Sequence, residues 1–543
     1  MFRKIFHINS TVKYLLALIL IIIISIFLRA YHFSDWLKFN SDQARDAGVV
    51  RNMIENGNIP LLGPVAGGTL FQLGPAFYYF QYLSAKIFGA TPDKMAYPDL
   101  FFGILSIPLL YLLAQQYFKK NISLILSALY AVAYFTVQYS RFAWNPNSAQ
   151  FFSMLFVYCV LRLYSSRSDK KSKWIILTGI SLGISIQLHA LLLFGMLFAS
   201  LVLAIYLFKN QRIKFSGIAL IALIVLILNS TQFASEIKNG GANFLEFKNA
   251  IIGKSTRQSA LWRNSLFVFS CQAQANVKIL VPYADQESCD FPLAVADKYF
   301  KRLKRRMNNS FEWLKHIAKI ISVIIFSGGG YWLLFRKVKK NNEKREFFMI
   351  LILFNLSLWT VFAPFGAELS LRYFILLAFM PFLLLGLWLE FILRRNNFQI
   401  KFIALIATTV LLAYNLFFCL LIFRNYSRNI PGNMIDGTMN QTKEIAEYII
   451  SEVGSRKKIQ IDGQGIYLDR FANRISYFLA DSKIEIITPN KYVKLDNNLP
   501  IFVVVNESSE EFYPGMVYKK YGEIEKNHRI YDVTILKMKN APK

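Results

Sequence analysis

Apolar runs of roughly 17–22 residues recur along this chain, and each is long enough to cross a ~30 Å hydrocarbon core as a helix. A backbone inside lipid must satisfy its own polar groups, so such runs have few other ways to fold. They are read near residues 13–30, 95–118, 122–139, 148–164, 174–189, 191–208, 215–230, 314–335, 347–363, 374–393 and 402–424, about eleven in all. A chain of 543 residues that is 55% hydrophobic fits this reading better than a set of soluble domains. The expected fold is mainly α, a polytopic transmembrane helical bundle. The weakest boundary is "QLHALLLF" (187–194), where no polar loop separates two runs. The first run is expected to be retained. It is long, and "RAYHFSDW" after it offers no small-x-small cleavage site.

The formal net charge is +29. In a membrane chain that excess reads first as topology, not as a nucleic-acid footprint. With "MFRKIFHINSTVK" in the cytoplasm, the cytoplasmic loops become "KKN", "SSRSDKKSK", "KNQRIK", "RKVKKNNEKRE" and "RRNNFQIK", and every one is basic. The short loops on the other side, "SRFAWNPNS" and "APFGAELSLRY", carry one Arg each. An error of one span would invert the later loops and spoil this agreement. The chain is therefore expected in the cytoplasmic membrane, with residues 31–94, 231–312 and 425–543 outside. Within the second of these, "DKYFKRLKRRMNNSFEWLKH" (297–316) reads as an amphipathic helix on the outer leaflet, either a lipid anchor or a rim for an anionic substrate.

The division expected is 1–424 as the membrane module and 425–543 as a small soluble α/β domain outside the cell. In the tail the apolar runs shorten to "KIQID", "KIEIIT", "IFVVVN" and "VTILKMK", with helical stretches such as "TKEIAEYIISEV" among them. Its "GQG" at 463–465 lacks the surroundings of a dinucleotide fingerprint, and no P-loop, HExxH, paired CxxC or internal repeat occurs. Cys159 and Cys419 sit in apolar spans as small core residues. Cys271 and Cys289 share one polar loop, and a disulfide between them is left open.

The centres of the spans hold almost no ionisable residues, whereas a coupled carrier keeps them along its pathway. Polar groups collect instead at the outward ends: Asp42, Arg45 and Asp46; Arg141, Trp144, Asn145 and Asn147; Gln187 and His189; Glu368 and Arg372. That pattern suits chemistry at the lipid–water boundary. Asp42 and Asp46 are one turn apart on a helix, with Arg45 beside them. A carboxylate there could take a proton from an acceptor or hold a metal, and Ser41 or Asp42 could equally be an N-cap. Arg141 and the paired amides of "SRFAWNPNS" could bind sugar hydroxyls and phosphate oxygens, or serve as a belt residue and a helix start. His189 could act as base, ligand or structural residue. Arg372 could hold a lipid phosphate or snorkel.

Taken in order, "SDQARDAGVVRNMIENGNIPLLGP", "LGPAFYYF", "SRFAWNPNS", "QLH" and "LRYF" followed by "MP" resemble the membrane-embedded glycosyltransferases of the GT-C class. The likeness is to the protein O-mannosyltransferase and aminoarabinose-transferase superfamily, in its bacterial, family 39-like branch, over about residues 1–424. The resemblance implies a sugar donor on polyprenyl phosphate at the outer leaflet, and a glycan, lipid or protein acceptor. Asp42 would be the general base, with inversion at the anomeric carbon. Asp46 would be the second catalytic carboxylate, moved one turn on, or else the site works with one acid; Arg372 and Arg141 would hold the phosphate. Arg45, Trp144, Asn145, Asn147, His189, Glu368 and Tyr373 complete the substrate-binding candidates. The "GPAFYYF" segment would be an interfacial helix that guides the isoprenoid. Many relatives place Glu directly after the catalytic Asp, but here Gln43 follows Asp42. Some relatives use a divalent cation and others none, so the metal is left open. The rival readings are an oligosaccharide ligase or polymerase, a lipid-linked sugar flippase or transporter, and a non-catalytic scaffold.

Overall fold

The computed structural model describes residues 10–166, 171–255, 261–282, 289, 310–339, 344–364, 371–427, 437–454, 456–463, 468–488, 496, 499–506, 521–530 and 533–539. Helices dominate. α1 (Ser10–Ala30) is followed by α2 (Ser41–Glu55), α3 (Ala76–Phe88), the one-turn α4 (Pro92–Met95) and α5 (Tyr97–Ala114). Next come α6 (Lys120–Val132), α7 (Tyr134–Gln138), α8 (Ala149–Ser165), α9 (Lys171–Leu188), α10 (Ala190–Lys209) and α11 (Phe215–Leu228). α12 (Ser230–Lys238), α13 (Ala242–Ser255) and α14 (Leu261–Leu280) follow. α15 (Ser310–Val323) passes through a π-helical turn at Ile324–Gly328 into α16 (Gly329–Lys339). α17 (Arg345–Phe362), a 3-10 helix at Leu371–Leu377, α18 (Met380–Leu393) and α19 (Phe398–Ser427) complete the bundle.

Among the described residues, six helices are long and apolar enough to cross a membrane, or seven if the bent pair α11 and α12 is one span. α6, α8 and α18 are apolar but shorter. The weak boundary at 187–194 is a true break: His189 leaves the helix and caps α10, its Nδ1 accepting from the Leu191 N–H at 3.1 Å. A second break, at Ala133, frees the carbonyls of Tyr130 and Ala131. The buried Arg29 of α1 donates to both, and to Thr136 Oγ1 and Ser25 Oγ. A buried charge is tolerated when it is met by acceptors in this way.

One expectation is corrected. The span centres were read as nearly free of ionisable residues, and 231–312 as an outward-facing segment. α14 lies in that segment, yet it packs against α17, α18 and the 3-10 helix, burying Gln272, Gln274, Asn276 and Lys278. Partners distant in sequence make this possible: Ser327 Oγ donates to the Ala273 carbonyl at 2.7 Å, and Gln272 donates to Tyr331 Oη at 3.0 Å. Cys271 on α14 is disulfide-bonded to Cys289, with Cα atoms 5.3 Å apart. Cys159 and Cys419 are buried and unbridged, as expected. Most of the basic stretch 297–316 lies outside the described residues.

The tail is a small α/β unit. It comprises α20 (Met439–Val453), β1 (Lys458–Gly463), α21 (Leu468–Leu479), β2 (Glu485–Ile487), β3 (Ile501–Asn506), β4 (Ile524–Ile530) and β5 (Val533–Met538). The sheet order is β2-β1-β3-β5-β4, parallel among the first three strands and antiparallel after them. Four of these strands match the short apolar runs. β4 does not, because "IEKNHRI" is an edge strand exposed along nearly its whole length. Of "GQG", Gly463 ends β1, and the other two residues lie outside the described ones.

The tail docks on the bundle at α2. Phe39 N–H donates to the Gly437 carbonyl and Met439 N–H to the Leu37 carbonyl, at 2.9 and 2.8 Å. Phe39 packs edge-on against Tyr477 and tilted against Phe478 of α21. Arg51 stacks 4.0 Å from the Tyr477 ring centre and donates to the Tyr477 carbonyl and to Asp481.

Candidate active site

The N-cap of α2 is Asn40, ahead of the expected Ser41 or Asp42. Asn40 Oδ1 accepts from the Asp42 N–H at 2.9 Å, and Gln43 Oε1 accepts from the Asn40 N–H at 3.2 Å, which closes a capping box. The capping role considered for Asp42 therefore falls to Asn40, and the Asp42 carboxylate is left for other work. It is 52% exposed and pairs with Arg45 Nη1 at 3.1 Å.

Asp46, one turn further on, is in the opposite environment. Its side chain is 1% exposed. Oδ1 accepts from Arg45 Nε at 2.9 Å and from the Tyr78 hydroxyl at 3.1 Å. Oδ2 is buried with no hydrogen-bond partner among the described residues. Burial pushes its acid dissociation up to about 6, against the pull of Arg45. For Arg45, burial works against the charge, but the carboxylates of Asp46 and Asp42 prevail and hold it above its ordinary value. The Tyr78 phenol is also raised, by burial first and then by Asp46. The two carboxylates thus divide into one open to an incoming group and one sealed beneath it.

Gln43 explains the departure from the Asp-Glu pattern. It is buried, and its Nε2 donates to the Ala143 carbonyl at 2.8 Å. An ionised Glu could not make that bond. Gln43 therefore staples α2 to the loop "SRFAWNPNS". Asp99 of α5 shapes the same loop, accepting from the Trp144 N–H at 3.0 Å and from Ser148 Oγ at 2.5 Å. Asn147 donates to the Phe142 carbonyl, and the rings of Trp144, Tyr139 and Phe142 pack against one another. Asn145 donates to the Leu188 carbonyl, next to His189.

Arg141 is buried and donates to the carbonyls of Leu28, Arg29 and Tyr31 at 2.8–2.9 Å. Both terminal nitrogens are thus committed to the end of α1, which makes Arg141 a C-cap for that helix and not a free phosphate holder. Burial lowers its dissociation to about 10.

Gln187 anchors α3: its Oε1 accepts from the Ala76 N–H and its Nε2 donates to the Leu228 carbonyl. Gly74 lies so close that a Cβ there would fall 2.4 Å from the Gln187 side chain. His189 meets Tyr373 edge-on, with ring centres 5.5 Å apart. Arg372 lies in the 3-10 helix Leu371–Leu377, and its side chain is outside the described part; Glu368 lies outside the described residues altogether.

Among the described residues, the candidates are linked by direct contacts or through one or two intermediaries. Asp42, Arg45 and Asp46 touch directly. The loop residues reach them through Gln43, and His189 and Tyr373 join through Asn145 and Leu188. Sequence reasoning missed Tyr78, Asp99 and the stapling role of Gln43. Asp99 had a signal, a lone carboxylate at the mouth of an apolar span. Tyr78 had none within its aromatic run.

Residues 72–233 match the family model described as dolichyl-phosphate-mannose-protein mannosyltransferase. The whole chain is similar in fold to ArnT from Cupriavidus metallidurans in the apo state. That match is 10% identical, covers 97% of this chain and 98% of that one, and has a TM-score of 0.53. A weaker likeness is to the Archaeoglobus fulgidus oligosaccharyltransferase, 14% identical over 90% of this chain and 68% of that one, at a TM-score of 0.48. The S. cerevisiae protein O-mannosyltransferase Pmt1-Pmt2 complex matches 44% of this chain and 35% of that one, 17% identical, at a TM-score of 0.33. No curated protein matches significantly. The resemblance carried by the motifs stands. In fold, and over residues 72–233 in sequence, the chain is similar to the GT-C membrane glycosyltransferases of the protein O-mannosyltransferase and aminoarabinose-transferase kind.

Proposed function

We propose that the chain transfers a sugar from a polyprenyl-phosphate donor to an acceptor at the membrane face where α2 lies. The observation that carries this is the pairing on α2: an exposed Asp42 beside Arg45, set over a buried Asp46. Asp42 takes the proton from the acceptor hydroxyl or amine as that atom attacks the anomeric carbon. The bond from that carbon to the phosphate oxygen breaks, and its electron pair leaves with the lipid phosphate from the opposite face. Inversion follows. Arg372 holds the departing phosphate in this reading. Asp46 acts through Arg45 and positions it.

The same reading has the N-terminus in the cytoplasm and the tail outside. It counts eleven passes by adding α6, α8, α9 and α18, the last with its 3-10 lead, to the seven longer spans. The acceptor class stays open among glycan, lipid and protein, and whole-oligosaccharide transfer is the nearest alternative. A second reading draws on α14. Its buried amides and Lys278 supply the polar core that a lipid-linked sugar transporter would need.

The test uses purified wild type and Asp42→Asn in detergent, with matched melting curves. Each is incubated with radiolabelled polyprenyl-phosphate sugars and an envelope extract, with and without chelator. The expected result is loss of label from the lipid with wild type and none with Asp42→Asn. Full activity in Asp42→Asn removes the base assignment. Transport into vesicles that is indifferent to Asp42 favours the second reading.

A further inference from the structure

The basic segment "SSRSDKKSK" (165–173) joins α8 to α9, and residues 167–170 of it lie outside the described ones. α8 starts beside the candidate site, where Ser148 bonds Asp99. Arg162 lies near its other end, about 21 Å along the axis from Ser148. Three buried donor atoms gather there. Arg162 Nε, Ser166 Oγ and Trp174 Nε1 each lack a hydrogen-bond partner among the described residues. The three residues are neighbours: the Arg162 guanidinium carbon lies 5.2 Å from the Trp174 ring centre, and the Ser166 N–H donates to the Arg162 carbonyl at 2.9 Å. Trp174 as a whole is only 9% exposed, and Tyr158 packs edge-on against its ring.

The charge around these donors has one sign. Lys173 Nζ stands 4.8 Å from the centre of the same indole. Lys171 Nζ donates to the Arg212 carbonyl at 2.7 Å, and the Arg212 guanidinium lies 4.5 Å from the Tyr164 ring centre. Among the described residues no carboxylate pairs with any of these four cations. Glu346, which approaches this corner, accepts from the Tyr164 hydroxyl at 3.3 Å. Orphan donors beside unpaired cations call for an anionic oxygen. α9 adds its N-terminal end, the positive pole of the helix. Depth names the bearer of that anion. Arg162 and Trp174 each stand about 4.5 Å inside the ends of α8 and α9 that face the loop. Lysines flank them on the loop side, and Ile176, 43% exposed, lies on the apolar side. That is the level at which lipid headgroups meet a membrane helix.

We propose that this corner binds the phosphate group of an anionic glycerophospholipid, in the leaflet opposite the α2 site. The phosphate oxygens accept from Arg162, Ser166 and Trp174, Lys173 closes the exposed side, and an acyl chain runs down past Ile176. A neutral lipid would bring no anion to these cations. A free phosphate would bring no chain to the apolar surface below them. The bound lipid ties the end of α8 to the start of α9. The length of α8 separates this phosphate from the one that leaves in the proposed reaction, and the inference does not depend on that reaction.

The test uses the full chain, delipidated in a mild neutral detergent. Dioleoyl phosphatidylglycerol is expected to raise the apparent Tm and to be retained in native mass spectrometry. Dioleoylglycerol, with the same chains and no phosphate, is expected to do neither. Inorganic phosphate at matched ionic strength forms the third arm and is expected to stabilise far less than the lipid. Trp174→Phe keeps a ring but loses the N–H, and Arg162→Gln loses the charge; each should retain several-fold less phosphatidylglycerol than wild type. Equal stabilisation by the two lipids, undiminished retention on both variants, or full stabilisation by inorganic phosphate with no further gain from lipid would overturn the proposal. The comparison of the three ligands needs only the wild-type chain, so it decides even where a variant folds poorly.

Discussion

Replacing Asp46 with Asn tests the electrostatics of the site most directly. Burial raises the folded-state dissociation of Asp46 from the ordinary 3.8 to about 6. The folded chain therefore favours the protonated acid. Stability from this group is present in full below about 4 and is lost as pH rises through about 6. At ~1.4 kcal/mol per pH unit the displacement is worth about 3 kcal/mol. The amide introduced by Asp46→Asn cannot titrate, so the variant lacks this component while keeping a similar shape. The assay follows fluorescence-monitored unfolding of both proteins in one detergent at fixed ionic strength, from about pH 4 to about pH 7.5, which spans the two dissociation ranges. Carboxylates remote from the site titrate equally in both, so the difference between the two curves reports Asp46 together with its coupling to Asp42 and Arg45. Wild type should lose ground to Asp46→Asn as pH rises, by up to about 3 kcal/mol. Parallel curves would mean that Asp46 is not sealed against solvent. A wild type that gains with pH would mean that Arg45, not burial, sets its protonation.

Three further substitutions probe the frame around the acids. Gln43→Glu restores the acid that relatives carry but loses the donor to Ala143. It should destabilise by about 2 kcal/mol near neutral pH and recover in acid, read as apparent Tm across pH. Arg51→Ala removes the stacking on Tyr477 and the bond to its carbonyl, and should cost about 1–2 kcal/mol. Limited proteolysis should then cut the tail sooner. Gly74→Ala drives a methyl into Gln187 and should lower Tm and loosen α3, whereas an unchanged melt would mean that the Gln187 side chain simply swings aside.

Much of the fold was legible because crossing a membrane depends on local sequence. The break at His189 fell at the run flagged as ambiguous, and the short strands β1, β2, β3 and β5 fell where apolar runs shorten. β4 was not legible, because an exposed edge strand needs no apolar residues and holds its place through hydrogen bonds to β5. α14 was not legible either, for a related reason. "SCQAQANVK" is too polar to suggest burial, and it becomes buried only because Tyr331 and Ser327, more than fifty positions on, take up its amides and carbonyl.

The site divides in the same way. The sequence by itself determined that acids and amides gather at the ends of apolar runs, and that Asp42, Arg45 and Asp46 share one turn of helix. Only the tertiary structure decided what each does. Asp42 and Asp46 are the same residue type one turn apart, yet Tyr78 from α3 closes over one and leaves the other open. Arg141, an attractive phosphate ligand on its own, is engaged by carbonyls of a helix more than a hundred residues away. Helical periodicity and span length are set by neighbours in the chain and by the thickness of the bilayer. Burial and hydrogen-bond supply are set by which distant surfaces meet, and those fix the chemistry of each polar group.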